Sequence, residues 1–125
     1  MTISEVSKRC NISPDTLRYY EKVGLLSDVN RTAGGIRDYT EQDCAQIEFV
    51  KCMRSAGLSI EVLQKYFELF KRGKRTLNAR WELLATERKA LQGRLEELQD
   101  TLKRLDYKIS VYDKAIASKD KELKF

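Results

Sequence analysis

Ser13-Pro14-Asp15-Thr16-Leu17-Arg18-Tyr19-Tyr20-Glu21-Lys22-Val23-Gly24 is the stretch on which the fold turns. Ser13 is a good N-cap, and Pro14 sits at the first helical position, where a missing N–H costs nothing. The helix that follows is predicted to stop at Gly24, the residue that most readily takes a positive φ. Upstream, Thr2-Ile3-Ser4-Glu5 reads as a capping box: Thr2 accepts from the Glu5 N–H and Glu5 reaches back. That box opens a short helix burying Ile3 and Val6 and ending near Cys10-Asn11. Two short helices joined by three or four residues, over 2–24, form a helix-turn-helix that reads DNA, or an αα-hairpin with no nucleic-acid role. Spacing alone leaves both open.

Downstream, residues 27–39 lack helical periodicity and contain Gly34-Gly35 between Leu25-Leu26 and Ile36-Arg37-Asp38-Tyr39, the pattern of a short hairpin or wing. A third helix is predicted over 40–56, opened by Thr40-Glu41-Gln42-Asp43 and carrying Cys44, Ile47, Val50 or Phe49, and Met53 on its apolar face. Ser59 caps a fourth, over 59–71, with Val62, Leu63, Tyr66, Phe67 and Phe70. These elements make a domain over 1–71, followed by a linker at 72–75.

From 76 to 117 the chain reads as one helix. Leu77, Trp81, Leu84, Arg88, Leu91, Leu95, Leu98, Leu102, Leu105, Ile109, Tyr112 and Ile116 step by four and three, and eleven of these twelve positions are apolar. Such a helix would extend roughly 60 Å, too far to bury its seam on a domain of about 70 residues. Its 3.5-residue period predicts a left-handed coiled coil with a second copy, a homodimer. Residues 118–125 are charged and expected to fray. The fold class is therefore all-α with a small β wing.

Composition narrows the function. The 125 residues include 24 Lys+Arg and 19 Asp+Glu, a formal net charge of +5, with one proline and no histidine. Without imidazole there is no His general base, His metal ligand or His-containing triad, which argues against an enzyme. No apolar run is long enough for a membrane span or a signal peptide, so a cytoplasmic protein is expected. Residues 1–58 balance eight basic against eight acidic residues, so the surplus lies in the C-terminal half, with a concentrated piece at Lys71–Arg75. Between Lys8 and Arg37, however, six basic residues face three acidic ones, enough for a local basic surface.

Thr16-Leu17-Arg18-Tyr19-Tyr20-Glu21, Gly24-Leu25-Leu26, Arg31 and Gly35-Ile36-Arg37-Asp38-Tyr39 together closely resemble the MerR family of bacterial transcription regulators. The later order of a helix, an Ala56-Gly57-Leu58-Ser59 turn, a second helix and a long helix resembles it too. The resemblance implies a winged helix-turn-helix DNA-binding domain on each subunit and an antiparallel coiled coil between subunits. It implies binding to double-stranded promoter DNA between the −35 and −10 elements, whose overlong spacer the activated dimer bends and untwists for RNA polymerase. Asp28 stands where many members have proline, and Ile36 where many have tyrosine. Asn30-Arg31, the wing pattern and Glu48–Ser59, with its cysteine at Cys52, resemble the AdhR/NmlR-like branch, which answers aldehyde and nitrosative stress.

On this reading Arg18 and Tyr19 are the candidates for major-groove or phosphate contact, since Arg supplies donors matched to a guanine edge or a phosphate. Thr16, near a helix N-terminus, is placed to donate to a phosphate. Tyr20 is either core or core with its hydroxyl reaching DNA. Arg31, Arg37 and Tyr39 of the wing are expected on phosphates, by analogy with matching family positions. Leu84, Leu91, Leu95, Leu98, Leu102, Leu105, Ile109 and Tyr112 form the dimerisation seam.

The cysteines are Cys10, Cys44 and Cys52; an odd count in a cytoplasmic class argues against structural disulfides. Metal-sensing members place thiolates at the start of the dimer helix and in a later loop. Here that start reads Thr76, Asn78 and Ala79, and no Cys or His follows Cys52, so neither a metal nor a cofactor is expected. Cys10 is expected to pack at the end of its helix. Cys52, flanked by Lys51 and Arg54, is either a reactive sensor thiol or a buried small hydrophobe. The alternative function is the same DNA-binding dimer with no thiol sensing, controlled by abundance or a partner.

Overall fold

A computed structural model describes residues 1–119 and 125. Among them the chain forms five α-helices, α1 (Ile3–Cys10), α2 (Pro14–Lys22), α3 (Glu41–Ser55), α4 (Ile60–Lys71) and α5 (Leu77–Ser118), and two short strands, β1 (Asn30–Arg31) and β2 (Arg37–Asp38). Met1–Glu87 and Arg88–Phe125 are separate compact units.

The caps stand where local chemistry asks for them. Thr2 Oγ1 accepts from the Glu5 N–H at 3.1 Å while the Glu5 carboxylate accepts from the Thr2 N–H, so one box serves two orphan donors of α1. Thr40 and Asp43 repeat the device on α3, and Ser13 and Ser59 cap α2 and α4. Gly24, at φ 83°, lets the chain leave α2. Gly35, at φ 80°, closes the turn between β1 and β2, where the Thr32 N–H donates to the Ile36 carbonyl at 2.8 Å. The strands pair antiparallel, Asn30 opposite Asp38 and Arg31 opposite Arg37.

The core of the first unit gathers Val6 and Cys10 from α1, Leu17 and Tyr20 from α2, Leu25, Leu26 and Val29 from the approach to the wing, and Cys44, Ile47, Val50, Leu63 and Phe67 from α3 and α4. Phe49, Tyr66 and Phe67 pack as an aromatic cluster, with ring centroids 5.1–6.2 Å apart. No single helix of this unit could bury its apolar stripe alone; the helices hold one another.

The connection into α5 is more ordered than a plain loop. Lys74–Thr76 form a 3-10 turn, because buried Thr76 sets its hydroxyl 2.7 Å from the Leu69 carbonyl and 2.8 Å from that of Gly73. α5 then starts at Leu77 and runs to Ser118 without a break. The frayed tail expected over 118–125 falls mostly on 120–124, outside the described residues; Ser118 itself still belongs to α5. No helix among the described residues is long and apolar enough to cross a membrane.

Candidate nucleic-acid interface

α2 presents Arg18 and Tyr19 outward, Tyr19 being 45% exposed. Arg18 Nη1 contacts Asp15 Oδ1 one turn earlier, at 2.9 Å. Both partners of this i,i+3 pair lie in solvent, where such a pair holds at most about 1 kcal/mol, so the guanidinium is readily exchanged onto a stronger anion. Thr16 is half-buried at the helix start, its hydroxyl 2.8 Å from that of the cap, Ser13. Tyr20 turns inward and belongs to the core.

The wing is tied to α2. Arg37 Nε donates to Glu21 Oε2 at 2.7 Å, a half-buried ion pair that raises the Arg37 pKa through the Glu21 hydrogen bond. Arg31 is exposed and donates across the turn to the Gly35 carbonyl at 2.9 Å. Tyr39 corrects the expectation of a phosphate contact. Its side chain is 2% exposed, and its hydroxyl is sealed with no hydrogen-bond partner, so it does not reach the surface where a phosphate would lie. Its ring belongs to the core cluster, and its backbone is held by the N-terminus. The Tyr39 N–H donates to the Met1 carbonyl, and the Met1 ammonium bridges the Tyr39 carbonyl and Asp38 at 2.8 Å each, so the chain start and the end of the wing close together.

Among the cysteines, Cys10 and Cys44 are buried and Cys52 is exposed. Burial pushes the Cys10 thiol up to about 11, with Cys44 and Glu48 adding to the shift. Lys51 and Arg54 do not turn their charge on Cys52: Lys51 Nζ donates to the Cys10 carbonyl at 2.7 Å, and Arg54 Nη1 to the Leu58 carbonyl at 2.8 Å. The exposure of Cys52 has a helical-wheel signal. At 3.6 residues per turn it lies about 140° from the centre of the Cys44, Ile47, Val50 stripe. No group of three or more His, Cys, Asp or Glu among the described residues is arranged to hold a metal ion.

Sequence reasoning overlooked Glu21 as the anchor of the wing arginine. It also overlooked Gln46 and Gln64, whose side-chain amides donate to the Leu25 and Val23 carbonyls at 3.1 and 2.8 Å. A polar residue on a helix face carries no signal for which distant carbonyl it will meet.

The positions expected to form a dimer seam lie on α5. Leu95, Leu98, Leu102, Leu105, Ile109 and Tyr112 are exposed, Leu98 by 68%, and Leu84 and Leu91 are half-buried.

Two short helices meeting at a capped turn, with a glycine-closed wing pinned to the second, define a winged helix-turn-helix protein. This chain belongs to the MerR family: the model of the MerR HTH family regulatory proteins matches residues 1–69, and a second, described as MerR, DNA binding, matches 44–107. The HTH-type transcriptional regulator AdhR of Bacillus subtilis (strain 168) is 54% identical over 91 residues, 73% of this chain and 65% of that protein, so the chain spans slightly less than two thirds of that relative. A crystal structure from Listeria monocytogenes, described as a MerR family transcriptional regulator, superposes with a TM-score of 0.93 at 42% identity, covering 98% of this chain and 92% of that one. HiNmlR, described as a MerR family regulator lacking the sensor domain and bound to promoter DNA, superposes with a TM-score of 0.84 at 31% identity, covering 93% and 92%. These relatives are regulators by name, and the chain carries the regulatory DNA-binding fold of their family.

Proposed function

We propose that this chain is a homodimeric, sequence-specific regulator that binds double-stranded promoter DNA and responds to thiol-reactive stress at Cys52. Arg18 and Tyr19 of α2 read or brace the duplex, with Thr16 on a phosphate and Arg31 and Arg37 on the backbone beside the wing. The exposed seam of α5 pairs with a second copy in antiparallel register, which places two reading heads on a pseudo-palindromic site. The dimer acts on the spacer between the −35 and −10 elements, bending and untwisting it so that RNA polymerase engages both. An aldehyde adds to the Cys52 sulfur as its carbonyl π bond opens and the thiol proton ends on the new hydroxyl. A nitrosating species passes its NO group to the sulfur while the thiol proton leaves with the NO carrier's anion. Either adduct shifts the dimer between two DNA-bound shapes.

The observation that carries the sensing is accessibility: Cys52 is exposed, whereas Cys10 and Cys44 are buried. Reagents reach a thiol on the surface before one sealed in a core. The test is peptide mass spectrometry of protein exposed to formaldehyde, alongside a promoter reporter driven by the Cys52→Ala variant. The expected result is an adduct at Cys52 and a variant that binds DNA without inducing. Normal induction by Cys52→Ala overturns the sensing. Absence of a Cys52 adduct points instead to the same DNA-binding dimer controlled by abundance or a partner.

A further inference from the structure

We infer that Gln64, Gln46 and Lys51 are positioning residues for DNA reading, side chains of α3 and α4 that clamp the C-terminal ends of the helix-turn-helix and set its orientation. The inference rests on the proposal that α2 and the wing read DNA. A helix leaves its last carbonyls without intrahelical partners. In α1 the final residue is Cys10, and its carbonyl accepts from Lys51 Nζ at 2.7 Å, across 41 residues of sequence. The C-cap of α2 is Val23, and its carbonyl accepts from Gln64 Nε2 at 2.8 Å, again across 41 residues. Just beyond, the Leu25 carbonyl accepts from Gln46 Nε2 at 3.1 Å, while Gln46 Oε1 accepts from the Ser27 hydroxyl at 3.1 Å. Both ends of that amide are therefore in use.

These contacts are directional, and the core beneath them is not. α2 is nine residues long and is seated in the core through Leu17 and Tyr20, two apolar anchors that tolerate some rotation about its axis. Hydrogen bonds weaken steeply away from linearity, so two amides at the C-terminal end of α2 and one ammonium at the end of α1 restrict that rotation. The Lys51 ammonium also meets the negative end of α1, where a cation is favoured. Base readout depends on this orientation far more than phosphate attraction does. Each of the three side chains donates to a backbone carbonyl, Lys51 at the end of α1 and Gln64 and Gln46 at and just beyond the end of α2, so they act through the helix-turn-helix rather than by touching the duplex.

The test uses a duplex enriched from a random-sequence library by the full-length wild-type protein, and a scrambled duplex of equal length. Binding is followed by fluorescence anisotropy over a salt series. Gln64→Met and Lys51→Met are expected to lose about tenfold in affinity for the enriched duplex. Affinity for the scrambled duplex should stay within about twofold and the salt slope unchanged, because no phosphate contact is removed. Lys51→Arg, which keeps a donor for the Cys10 carbonyl, is expected to restore binding. Equal losses on both duplexes overturn the inference. So does a salt slope lowered by about one in Lys51→Met, the mark of a phosphate contact. A fall in melting temperature with an unchanged preference for the enriched duplex also overturns it. Should Lys51→Met not fold, as judged by circular dichroism, the neutral, near-isosteric Gln64→Met decides. A wild-type protein that enriches no sequence removes the DNA-reading proposal itself, a result distinct from any variant effect.

Discussion

Tyr39 carries a buried hydroxyl without a partner, 98% enclosed at the foot of the wing. Leaving a buried donor unmade costs about 1–3 kcal/mol, whereas a phenyl ring in the same place costs nothing of that kind. Tyr39→Phe is therefore expected to stabilise the first unit by about 1 kcal/mol, read as a higher midpoint in thermal unfolding. Affinity for DNA should be unchanged, since the hydroxyl does not reach the surface; a loss of binding would show that it does. Here sequence and structure part. The spacing of Arg37 and Tyr39 was legible, but a two-residue period puts both on one face and does not say which of them the packed core will enclose. Cys52 is the converse case. Its outward direction follows from helical geometry against Cys44, Ile47 and Val50, whereas the engagement of Lys51 and Arg54 with carbonyls came only from packing.

Among the elements, α5 shows most directly how a pattern becomes a requirement. Leu98 is 68% exposed, Leu102 58%, Leu105 54% and Ile109 57%, a continuous apolar stripe left uncovered among the described residues. Stripes of that extent on a soluble protein mark an interaction surface. The heptad period names its complement as a like helix. Leu98→Lys places a charge in the middle of the seam and is expected to convert the dimer to monomer at micromolar concentration, measured by sedimentation. A variant that remains dimeric would move the interface off this stripe. Helix limits were readable because capping boxes, serine caps and glycine stops act within four residues. The 3-10 turn at Lys74–Thr76 was not, since it hangs on the Thr76 hydroxyl finding the Leu69 carbonyl seven residues back.

At the scale of the molecule, surface charge sets the response to acid. Arg9 holds Glu41 through a bidentate contact at 2.6 and 2.8 Å and lowers its pKa below the ordinary 4.5; the α1 capping box does the same for Glu5. A lowered carboxylate contributes stability above its unfolded pKa and loses it as pH falls through the folded one. Stability should therefore decline as the pH is taken below 4.5, and Glu41→Gln should decline less steeply, as followed by thermal midpoints across that range. Both glutamates are exposed, so the effect is modest and shrinks with added salt.

Helix order, wing position, the heptad seam and the MerR resemblance all followed from residues close together in sequence, because caps, turns and periodicity are local. Folding alone decided that Glu21 pins Arg37, that the Met1 ammonium holds the Tyr39 carbonyl, and that Lys51, Gln46 and Gln64 clamp the ends of the helix-turn-helix. Those contacts join residues 16 to 41 positions apart, and a polar side chain has no local signal for which distant carbonyl or carboxylate the packed core will bring within reach.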